Sequence, residues 1–571
     1  MNPKISVVIP TRNRRDLLLK TLAHLAEQTA PGSSYEVIVV SDGSTDGTFE
    51  ALRNLAVTTT WAGGPALYCI EQVWSGASAA RNRGMREAKS EYVLLLDDDM
   101  EADHAVVQAH LDAHAREQGI SVVLGNIIIP AAHAALPFQL RRAFMSRDKR
   151  LLQEEPEFKD LYTGNVSFPK REALMSGGFD ESIRYAEDVE FGARLARAGL
   201  KFVYAPEAKS VHCDPKPAYA LLDDFSRSGV GCVQTWRKHP DLLKALPLSS
   251  YGETSLRLRL ARRMLLGLSE LAPVARVLEW LCARWAASHL TGAPSRAVFE
   301  LTRSYYFWRG VRSIVDRREW KRLTDPGAVV LMYHSVSRHG AKQRFTISPR
   351  RFGMQLKMLR LLGRRVLTLN RCIELWAAGK MTPPRTVVIT FDDGYKNLLH
   401  EAVPVLRKYR FPATLFVVAG KVGSINDWEG PGELRKPLLS WNELSFMEYL
   451  GLSVESHGLQ HIRLTSATPE AARRDMEESR KLISASLGKW VRIIAYPYGS
   501  SNGEVEDGAL AAGYAAAVTV RQGMNTLRTP RYALKRTEIS GNESMPMFLL
   551  KVLLGEDPFK WLRPKGKGLS R

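Results

Sequence analysis

Short apolar runs recur along the first 235 residues, and each is followed by polar or turn-forming residues. Ile5 to Ile9 precedes Pro10, Val37 to Val40 precedes the turn sequence Asp42-Gly43-Ser44, and Tyr92 to Leu96 precedes Asp97. Between the first two runs, leucines at helical spacing predict a helix: Leu17, Leu18, Leu22 and Leu25. This alternation predicts an α/β domain with a mainly parallel sheet, whose ligands bind at the carboxyl ends of the strands.

The strand rhythm stops at about residue 235 and restarts at about residue 326. The intervening 90 or so residues read as helical. The later apolar runs predict strands at Val329 to Tyr333, Val387 to Phe391, Thr414 to Val418, Ser453 to Ser456, Ile493 to Tyr496 and Ala515 to Val520. Six or more β/α units indicate a barrel with its chemistry at the strand carboxyl ends. The predicted organisation is a domain over 1–235, a basic helical connector over 236–325 and a second domain over 326–571.

Half of the net charge of +20 is concentrated in the predicted connector, since residues 237–322 contain 17 Lys and Arg against 7 Asp and Glu. Arg257, Arg259, Arg262 and Arg263 alternate there with leucines, and aromatic residues follow. Two interpretations remain open: an interfacial helix on an anionic membrane, or a connector whose apolar side packs inward while its arginines are solvated. Nucleic-acid binding is not expected, because no recognition motif accompanies the charge.

The sequence also predicts a compartment. No apolar stretch is long enough to span a membrane, and no cleavable signal peptide precedes the first strand. The five cysteines are scattered and lack metal-binding spacing, as in proteins of reducing compartments. We therefore expect a cytoplasmic protein that is peripheral at the inner membrane face in the first interpretation of the connector.

Asp97, Asp98 and Asp99 follow a buried strand directly. Carboxylates crowded at a strand end repel one another unless a cation lies among them, and oxygen ligands suit Mg²⁺ or Mn²⁺, which can hold a diphosphate. A solvated acidic turn is the alternative. The cluster is accompanied, in order, by Pro10-Thr11-Arg12-Asn13, Ser41-Asp42-Gly43-Ser44 and Ala80-Arg81-Asn82-Arg83-Gly84.

With these four motifs, residues 4–235 resemble the family 2 glycosyltransferases of the GT-A fold, a Rossmann-like nucleotide-sugar domain. The resemblance implies that Thr11, Arg12 and Asp42 contact the nucleoside, that Arg81 and Asp98 also serve the nucleotide-sugar donor, and that Asp97 and Asp99 bind the metal. Ala186-Glu187-Asp188 then supplies Asp188 as the base that deprotonates the acceptor hydroxyl in an inverting transfer. His212 is a further candidate metal ligand by the same resemblance.

Thr390-Phe391-Asp392-Asp393-Gly394 ends another apolar run, and Ser456-His457-Gly458-Leu459-Gln460-His461 follows later. If the second segment is helical, His457 and His461 share one face. Two imidazoles and one carboxylate make three protein ligands and leave a position open for water, as in catalytic divalent-metal sites. The neighbouring carboxylate can then act as a general base.

Together with Leu331-Met332-Tyr333-His334 and Ala495-Tyr496-Pro497-Tyr498-Gly499, these motifs resemble the polysaccharide deacetylases of carbohydrate esterase family 4, over about residues 326–550. The fold implied is a distorted (β/α) barrel. The resemblance assigns Asp392 as the base, and Asp393, His457 and His461 as ligands of Zn²⁺ or another divalent metal. The backbone N–H of Tyr498 would stabilise the oxyanion.

Two departures from that family concern the proton transfers. Ala495 or Tyr496 stands where many members carry an Arg, and the C-terminal Leu-x-His motif is absent, since no histidine follows His461. The matching region reads Leu534-Lys535-Arg536-Thr537-Glu538. We hypothesise that His334 lies near the metal and acts as the general acid, and that Arg536 orients Asp392.

The sequence therefore predicts a bifunctional carbohydrate enzyme. One half would transfer a sugar, such as that of UDP-N-acetylglucosamine, to a saccharide or lipid-linked acceptor, and the other would de-N-acetylate an N-acetylhexosamine in polysaccharide or glycolipid synthesis. One alternative is an active transferase with a non-catalytic, deacetylase-like glycan-binding module. Another is a non-enzymatic basic scaffold on membrane glycolipids, against which the intact carboxylate sets argue.

Overall fold

The computed structural model describes residues 3–56, 64–117, 120–129, 148–213, 218–254, 256–268, 277, 280–281, 284, 293–339, 344–428 and 435–559. The chain forms two compact units. Unit 1 comprises residues 1–248 and 257–316, and unit 2 comprises residues 249–256 and 317–571. Each unit has its own β-sheet and its own hydrophobic core.

Unit 1 is built on an eight-stranded mixed sheet of order β3-β2-β1-β4-β7-β6-β8-β5. Parallel pairing joins β1 to β2 and β4, β2 to β3 and β6 to β8, while β7 and β5 pair antiparallel. The strands are β1 Ile5–Thr11, β2 Tyr35–Asp42, β3 Ala66–Gln72, β4 Tyr92–Leu96, β5 Met100–Ala102, β6 Ser121–Ile128, β7 Asn165–Pro169 and β8 Lys201–His212.

Helices cover both faces of this sheet, so its central strands are buried and mostly apolar. Along β1, Val7 and Ile9 belong to the core on one face, whereas Val8 belongs to the core on the other. The unit 1 helices are α1 Arg15–Ala26, α2 Thr48–Ala56, α3 Ala77–Glu87, α4 Val106–Arg116, α5 Asp148–Leu151, α6 Lys170–Met175, α7 Glu187–Arg197, α8 Ala218–Lys238, α9 Leu256–Leu268 and α10 Ala293–Ile314.

Two glycines let α8 and α10 cross closely. A side chain at Gly229 would collide with the carbonyl of Phe307, and one at Gly310 would collide with the carbonyl of Ser226. In turn, α9 packs on α10 through Arg262, which is buried and donates to Ser304 Oγ at 2.9 Å. The three helices therefore form one packed layer.

The outer face of α9 carries both apolar and charged side chains, and its buried side carries Arg262 beside Leu266. Leu260 and Met264 are 58% and 61% exposed, and Leu268 is exposed on the same side. Arg257 and Arg263 lie among them and are exposed as well. Downstream, Val277, Trp280 and Leu281 are also exposed, whereas Trp285 lies outside the described residues.

Unit 2 is built on a sheet of order β17-β16-β15-β14-β13-β9-β18, with β12 also pairing to β13, and all of its pairs are parallel. A parallel bridge between Val518 and Leu534 joins the segment before β18 to β17, which links the two ends of this order as in a distorted barrel. The strands are β9 Val329–Tyr333, β12 Arg365–Leu367, β13 Thr386–Phe391, β14 Thr414–Val417, β15 Ser453–Ser456, β16 Ile493–Ala495, β17 Ala516–Val518 and β18 Thr537–Glu538, and β10 Ser335–Val336 pairs with β11 Thr346–Ile347.

The helices of unit 2 fill the connections between these strands, and residues at helical spacing anchor them on the core. In α12, Phe352, Leu356 and Leu359 are buried, and Ser348 caps the helix by accepting from the Arg351 amide. The helices are α11 Arg317–Leu323, α12 Pro349–Leu361, α13 Leu369–Ala377, α14 Val403–Tyr409, α15 Trp441–Tyr449, α16 Pro469–Leu487, α17 Gly503–Ala511 and α18 Met545–Leu554.

The predicted fold class, two α/β domains with parallel-rich sheets, is confirmed. Every predicted strand is present within two residues of its expected ends. In the described part of the chain, no helix is long and apolar enough to cross a membrane.

Candidate functional sites

The acidic triplet of unit 1 lies at the carboxyl end of β4, and β8 brings a histidine to it. Antiparallel pairing places His212 opposite Met100, and the amide of Cys213 donates to the Asp99 carbonyl. His212 Nε2 is 3.3 Å from Asp99 Oδ2, and both side chains are buried. The other carboxylate oxygen of Asp99 is buried and has no hydrogen-bond partner among the described residues. A carboxylate oxygen left open beside an imidazole fits a divalent cation.

Arg14 is a neighbour of this cluster that the sequence did not single out. Its guanidinium contacts Asp98 Oδ1 at 2.9 Å and Asp99 Oδ2 at 2.7 Å. Asp98 also accepts from Thr11 Oγ1 at 2.7 Å, and burial raises the pKa of its carboxyl to about 7 despite Arg14. For Asp99, burial is outweighed by His212 and Arg14, which lower the pKa to about 2. The two carboxyls therefore differ in charge near neutral pH.

Asp42 is fixed at the end of β2 by three hydrogen bonds. It accepts from Gln72 Nε2, from the Ser75 amide and from the Gly76 amide, each at 2.8 Å. Arg12 lies over the indole of Trp74 at 4.8 Å on the same side of the sheet end. The structure thus brings Arg12 and the loop that holds Asp42 together, and the nucleoside role of both remains a prediction.

Arg81 links the acidic triplet to the predicted base. Its guanidinium is 3.3 Å from Asp97 Oδ1 and 3.1 Å from Glu187 Oε1, and its side chain is buried. Burial and the charge of Asp188 raise the pKa of Glu187 to about 7. Asp188 lies in the first turn of α7 and accepts from the Val189 amide at 2.9 Å. Arg81 is buried, yet the charges of Asp97, Glu187 and Asp188 raise its pKa, so the predicted base interacts with a permanent cation.

In unit 2, Asp393, His457 and His461 converge at the carboxyl ends of β13 and β15. One ligand atom from each lies within 4.8 Å of the others, and all three residues are buried. His457 Nδ1 contacts the Ala495 carbonyl at 2.8 Å, which leaves Nε2 directed at Asp393 Oδ1, 3.4 Å away. An imidazole fixed through its other nitrogen is the usual arrangement of a metal ligand. These residues fit a divalent metal.

The two histidines do not lie on a helix, which was the condition for their spacing to place them on one face. Residues 457–463 form a loop, in which Gly458 has a φ of 77° and His461 a φ of 58°. Asp475 holds this loop by accepting from the amides of Leu459 and Gln460. The histidines therefore meet because the loop turns back, which a spacing of four residues does not reveal.

Asp392 is held by Arg536, as hypothesised from the sequence. The guanidinium makes two parallel hydrogen bonds to the carboxylate, Nη1 to Oδ1 at 2.6 Å and Nη2 to Oδ2 at 2.9 Å, and both side chains are buried. Burial would raise the pKa of Asp392, but Arg536, His457 and His334 lower it. A base that is ionised yet buried is suited to accept a proton from a bound water.

His334 follows β9, and its charge lowers the pKa of both Asp392 and Asp393, so it faces the same centre. Its ring packs on Phe345 with 4.5 Å between centroids. Tyr498 packs on His461, with 4.8 Å between the two ring centroids. Trp428, which sequence reasoning missed because nothing marks it in the chain, also packs on His461 at 4.4 Å.

Three residues of this centre have left-handed backbone conformations: Asp393 (φ 73°), His461 (φ 58°) and Tyr498 (φ 60°). Such values are uncommon outside glycine and cost of order 1–3 kcal/mol each. Conformations of this cost persist when the surrounding structure imposes them, and they concentrate at functional sites. This centre is therefore shaped by its backbone as well as by its side chains.

Comparisons with known proteins match both halves of the chain. The polysaccharide deacetylase family model matches residues 379–517, and the glycosyl transferase family 2 model matches residues 6–171. YxkH of Bacillus subtilis (strain 168), which is named as a polysaccharide deacetylase, is 30% identical over 234 residues, covering 41% of this chain and 79% of that protein.

Two further relatives match one half each. The validoxylamine A glucosyltransferase of Streptomyces hygroscopicus subsp. limoneus is 30% identical, covering 43% of this chain and 58% of that protein. The poly-beta-1,6-N-acetyl-D-glucosamine N-deacetylase of Staphylococcus aureus (strain MSSA476) is 30% identical, covering 28% of this chain and 56% of that protein. The chain thus spans less than two thirds of the length of these two relatives.

Unit 2 therefore carries a polysaccharide deacetylase domain, and unit 1 carries a glycosyl transferase domain of family 2. The chain belongs to the polysaccharide deacetylase family. Both of the families that it combines are enzymes that act on carbohydrates.

Proposed function

We propose that this chain transfers a sugar from a nucleotide donor to a saccharide or lipid-linked acceptor and removes an N-acetyl group from a hexosamine of that product. The observation that carries the proposal is the presence in one chain of two separate centres. In one, Asp99 lies beside His212, and Arg81 links Asp97 to the segment that holds Asp188; in the other, Asp393, His457 and His461 converge next to Asp392. UDP-N-acetylglucosamine is the donor that we favour.

In the transfer half, Asp97, Asp99 and His212 would hold Mg²⁺ or Mn²⁺, which neutralises the donor diphosphate. Asp188 accepts the proton of the acceptor hydroxyl as its oxygen attacks the anomeric carbon. Arg81, between Asp97 and Glu187, stabilises the negative charge that gathers on the leaving diphosphate. Thr11, Arg12, Asp42 and Asp98 form the donor side of the site.

In the deacetylase half, Asp393, His457 and His461 would hold Zn²⁺ or another divalent metal, which activates water and polarises the acetyl carbonyl. Asp392, fixed by Arg536, removes the proton of the attacking water. The N–H of Tyr498 stabilises the oxyanion, and His334 protonates the departing amine. An N-acetylhexosamine substrate is supported by the name of the Staphylococcus aureus relative.

We further propose that α9 contacts an anionic membrane. The exposure of Leu260 and Met264 between the exposed Arg257 and Arg263 supports this proposal. Exposed apolar side chains between arginines suit the boundary of lipid headgroups and acyl chains. A membrane-borne acceptor would then be presented to the transfer site.

The proposal is tested by mass spectrometry of products formed by the full chain from UDP-N-acetylglucosamine, Mn²⁺, Zn²⁺ and lipid-linked saccharide acceptors. The Asp99→Ala variant should form no transfer product, and the Asp392→Ala variant should form a product that keeps its acetyl group. If the wild-type chain removes no acetyl group from any N-acetylated product, unit 2 is a glycan-binding module instead.

A further inference from the structure

A cavity of about 690 Å³ opens in unit 1 between helix α8 and the loop that leads to Asp188. Its volume lies in the range of small-ligand sites. Residues of four segments line it: Arg12, Trp74, Arg184, Tyr185, Arg227 and Gln234. The proposed roles of the donor and metal residues leave all but Arg12 unused.

The cavity carries positive charge that nearby side chains do not balance. Arg12 and Arg184 each lie 4.8 Å from the centroid of the Trp74 ring, and within the described chain neither forms an ion pair. Arg227 is paired with Asp223 on its own helix and donates to the Tyr185 hydroxyl at 3.0 Å. The acidic residue among the described lining residues is Glu181.

This arrangement favours an anion. Arg12 and Arg184 share one indole, so their guanidinium carbons lie within about 10 Å of each other and both add to the positive potential of the cavity. A guanidinium that stacks on an aromatic ring still presents its N–H groups in its own plane, where they match the oxygens of a phosphate. A phosphate that accepts from Arg184 and Arg227 would offset this charge.

The wall of the cavity is the segment that holds the predicted base. Tyr185 precedes Ala186, Glu187 and Asp188 directly, and α8 approaches it so closely that a side chain at Gly231 would collide with the Tyr185 carbonyl. Asp97 and Asp99, which would hold the donor diphosphate, do not line the cavity. Its position beside the base therefore suits the acceptor.

Helix α8 connects the cavity to the helix that carries the exposed Leu260 and Met264. α8 lines the cavity and crosses α10 at Gly229 and Gly310, and α10 carries α9 with its exposed Leu260 and Met264. We propose that the cavity binds the phosphate or diphosphate group of a lipid-linked acceptor, through Arg184 and Arg227. This inference rests on the proposed transferase function and specifies the acceptor class.

The test measures binding of farnesyl phosphate to the full chain by calorimetry, with the donor site filled by UDP and Mn²⁺. The wild-type chain should bind farnesyl phosphate under these conditions but not farnesol. The Arg184→Gln variant should bind it about tenfold more weakly, the scale of one charge-assisted hydrogen bond, and should bind UDP as before. Arg116→Gln, which removes an exposed arginine of α4, is the matched control and should change neither affinity.

Competition identifies the source of the phosphate. If UDP and Mn²⁺ displace farnesyl phosphate, or if Arg184→Gln weakens UDP binding to the same extent, the cavity belongs to the donor and the inference is wrong, while the transferase proposal stands. An unchanged farnesyl phosphate affinity in an Arg184→Gln, Arg227→Gln double variant would also overturn it. If the wild-type chain binds no UDP with Mn²⁺, the proposed transferase itself fails.

Discussion

At the scale of single residues, the two hydrogen bonds from Arg536 to Asp392 explain how a buried carboxylate stays ionised. Many family members place an Arg before the Pro-Tyr-Gly motif, where this chain has Ala495 and Tyr496. Here the cation comes from the segment that leads into β18. In the proposed mechanism, the base depends on this one partner, together with two histidines.

Arg536→Met should shift the pH dependence of deacetylation. With the cation removed, burial raises the pKa of Asp392. The base works only above its pKa, so the acid limb of kcat/KM should move to higher pH, by about one unit or more. Arg536→Lys keeps the positive charge but loses the two parallel hydrogen bonds of the guanidinium, so its acid limb should lie between those of the wild type and Arg536→Met. The pH–rate profile, measured at equal metal content, decides; an unshifted limb in Arg536→Met would refute this role.

His334→Ala should lower deacetylase kcat by roughly 10²–10⁴-fold, the usual contribution of a general acid. Zinc content, measured by atomic absorption, should stay at the wild-type level because His334 is not among the three converging ligands. His400→Ala, an exposed histidine of the same unit, serves as the control and should retain full turnover. Full turnover in His334→Ala would assign the acid elsewhere.

A site residue could be predicted from the sequence when it lies in a recognisable motif. Asp392, Asp393, His457 and His461 lie in short contiguous motifs that follow strands, so sequence order alone brings them to one end of the barrel. Arg14 and Trp428 belong to no motif, and only the folded chain brings them to the acidic triplet and to His461.

At the scale of elements, the exposed Leu260 and Met264 of α9 predict lipid binding that single substitutions weaken. Leu260→Ser and Met264→Ser should each lower partition onto phosphatidylglycerol vesicles by about fivefold, because burying the apolar surface of each side chain contributes on the order of 1 kcal/mol to binding. Leu361→Ser alters an equally exposed leucine of α12 and should leave partition unchanged. Sedimentation with vesicles measures the partition, and equal partition of all variants would exclude α9 as the membrane contact.

The strands were predictable because parallel strands buried on both faces are continuous apolar runs, as in β1, β9 and β13. The loop at residues 457–463 was not, because its shape is set by Asp475 from α16 and by a left-handed turn. Tertiary partners of this kind leave no periodic signal. The exposure of Leu260 and Met264 in α9 was likewise hidden, since leucines and arginines alternate along it and do not reveal which of them face the core.

At the scale of the whole molecule, two active centres in one chain should process a shared product efficiently. A mixture of Asp99→Ala and Asp392→Ala chains contains both activities on separate molecules. At nanomolar enzyme, wild type should convert more transferred product to its deacetylated form than this mixture does, because the second site is present at a high effective concentration. Product ratios by mass spectrometry measure the effect. Equal ratios would show that the fusion confers no kinetic coupling.

The backbone of the metal centre in unit 2 has a consequence for mutagenesis. In the proposed mechanism, Tyr498 acts through its amide, a group that every residue except proline has, and its φ of 60° sets the direction of that amide. Alanine scanning would remove the ring and keep the N–H, so it would underestimate this position. The informative replacements are those that change backbone preference, such as Tyr498→Val against Tyr498→Gly. Transplanting this centre into another protein scaffold therefore requires reproducing its backbone conformation as well as its side chains.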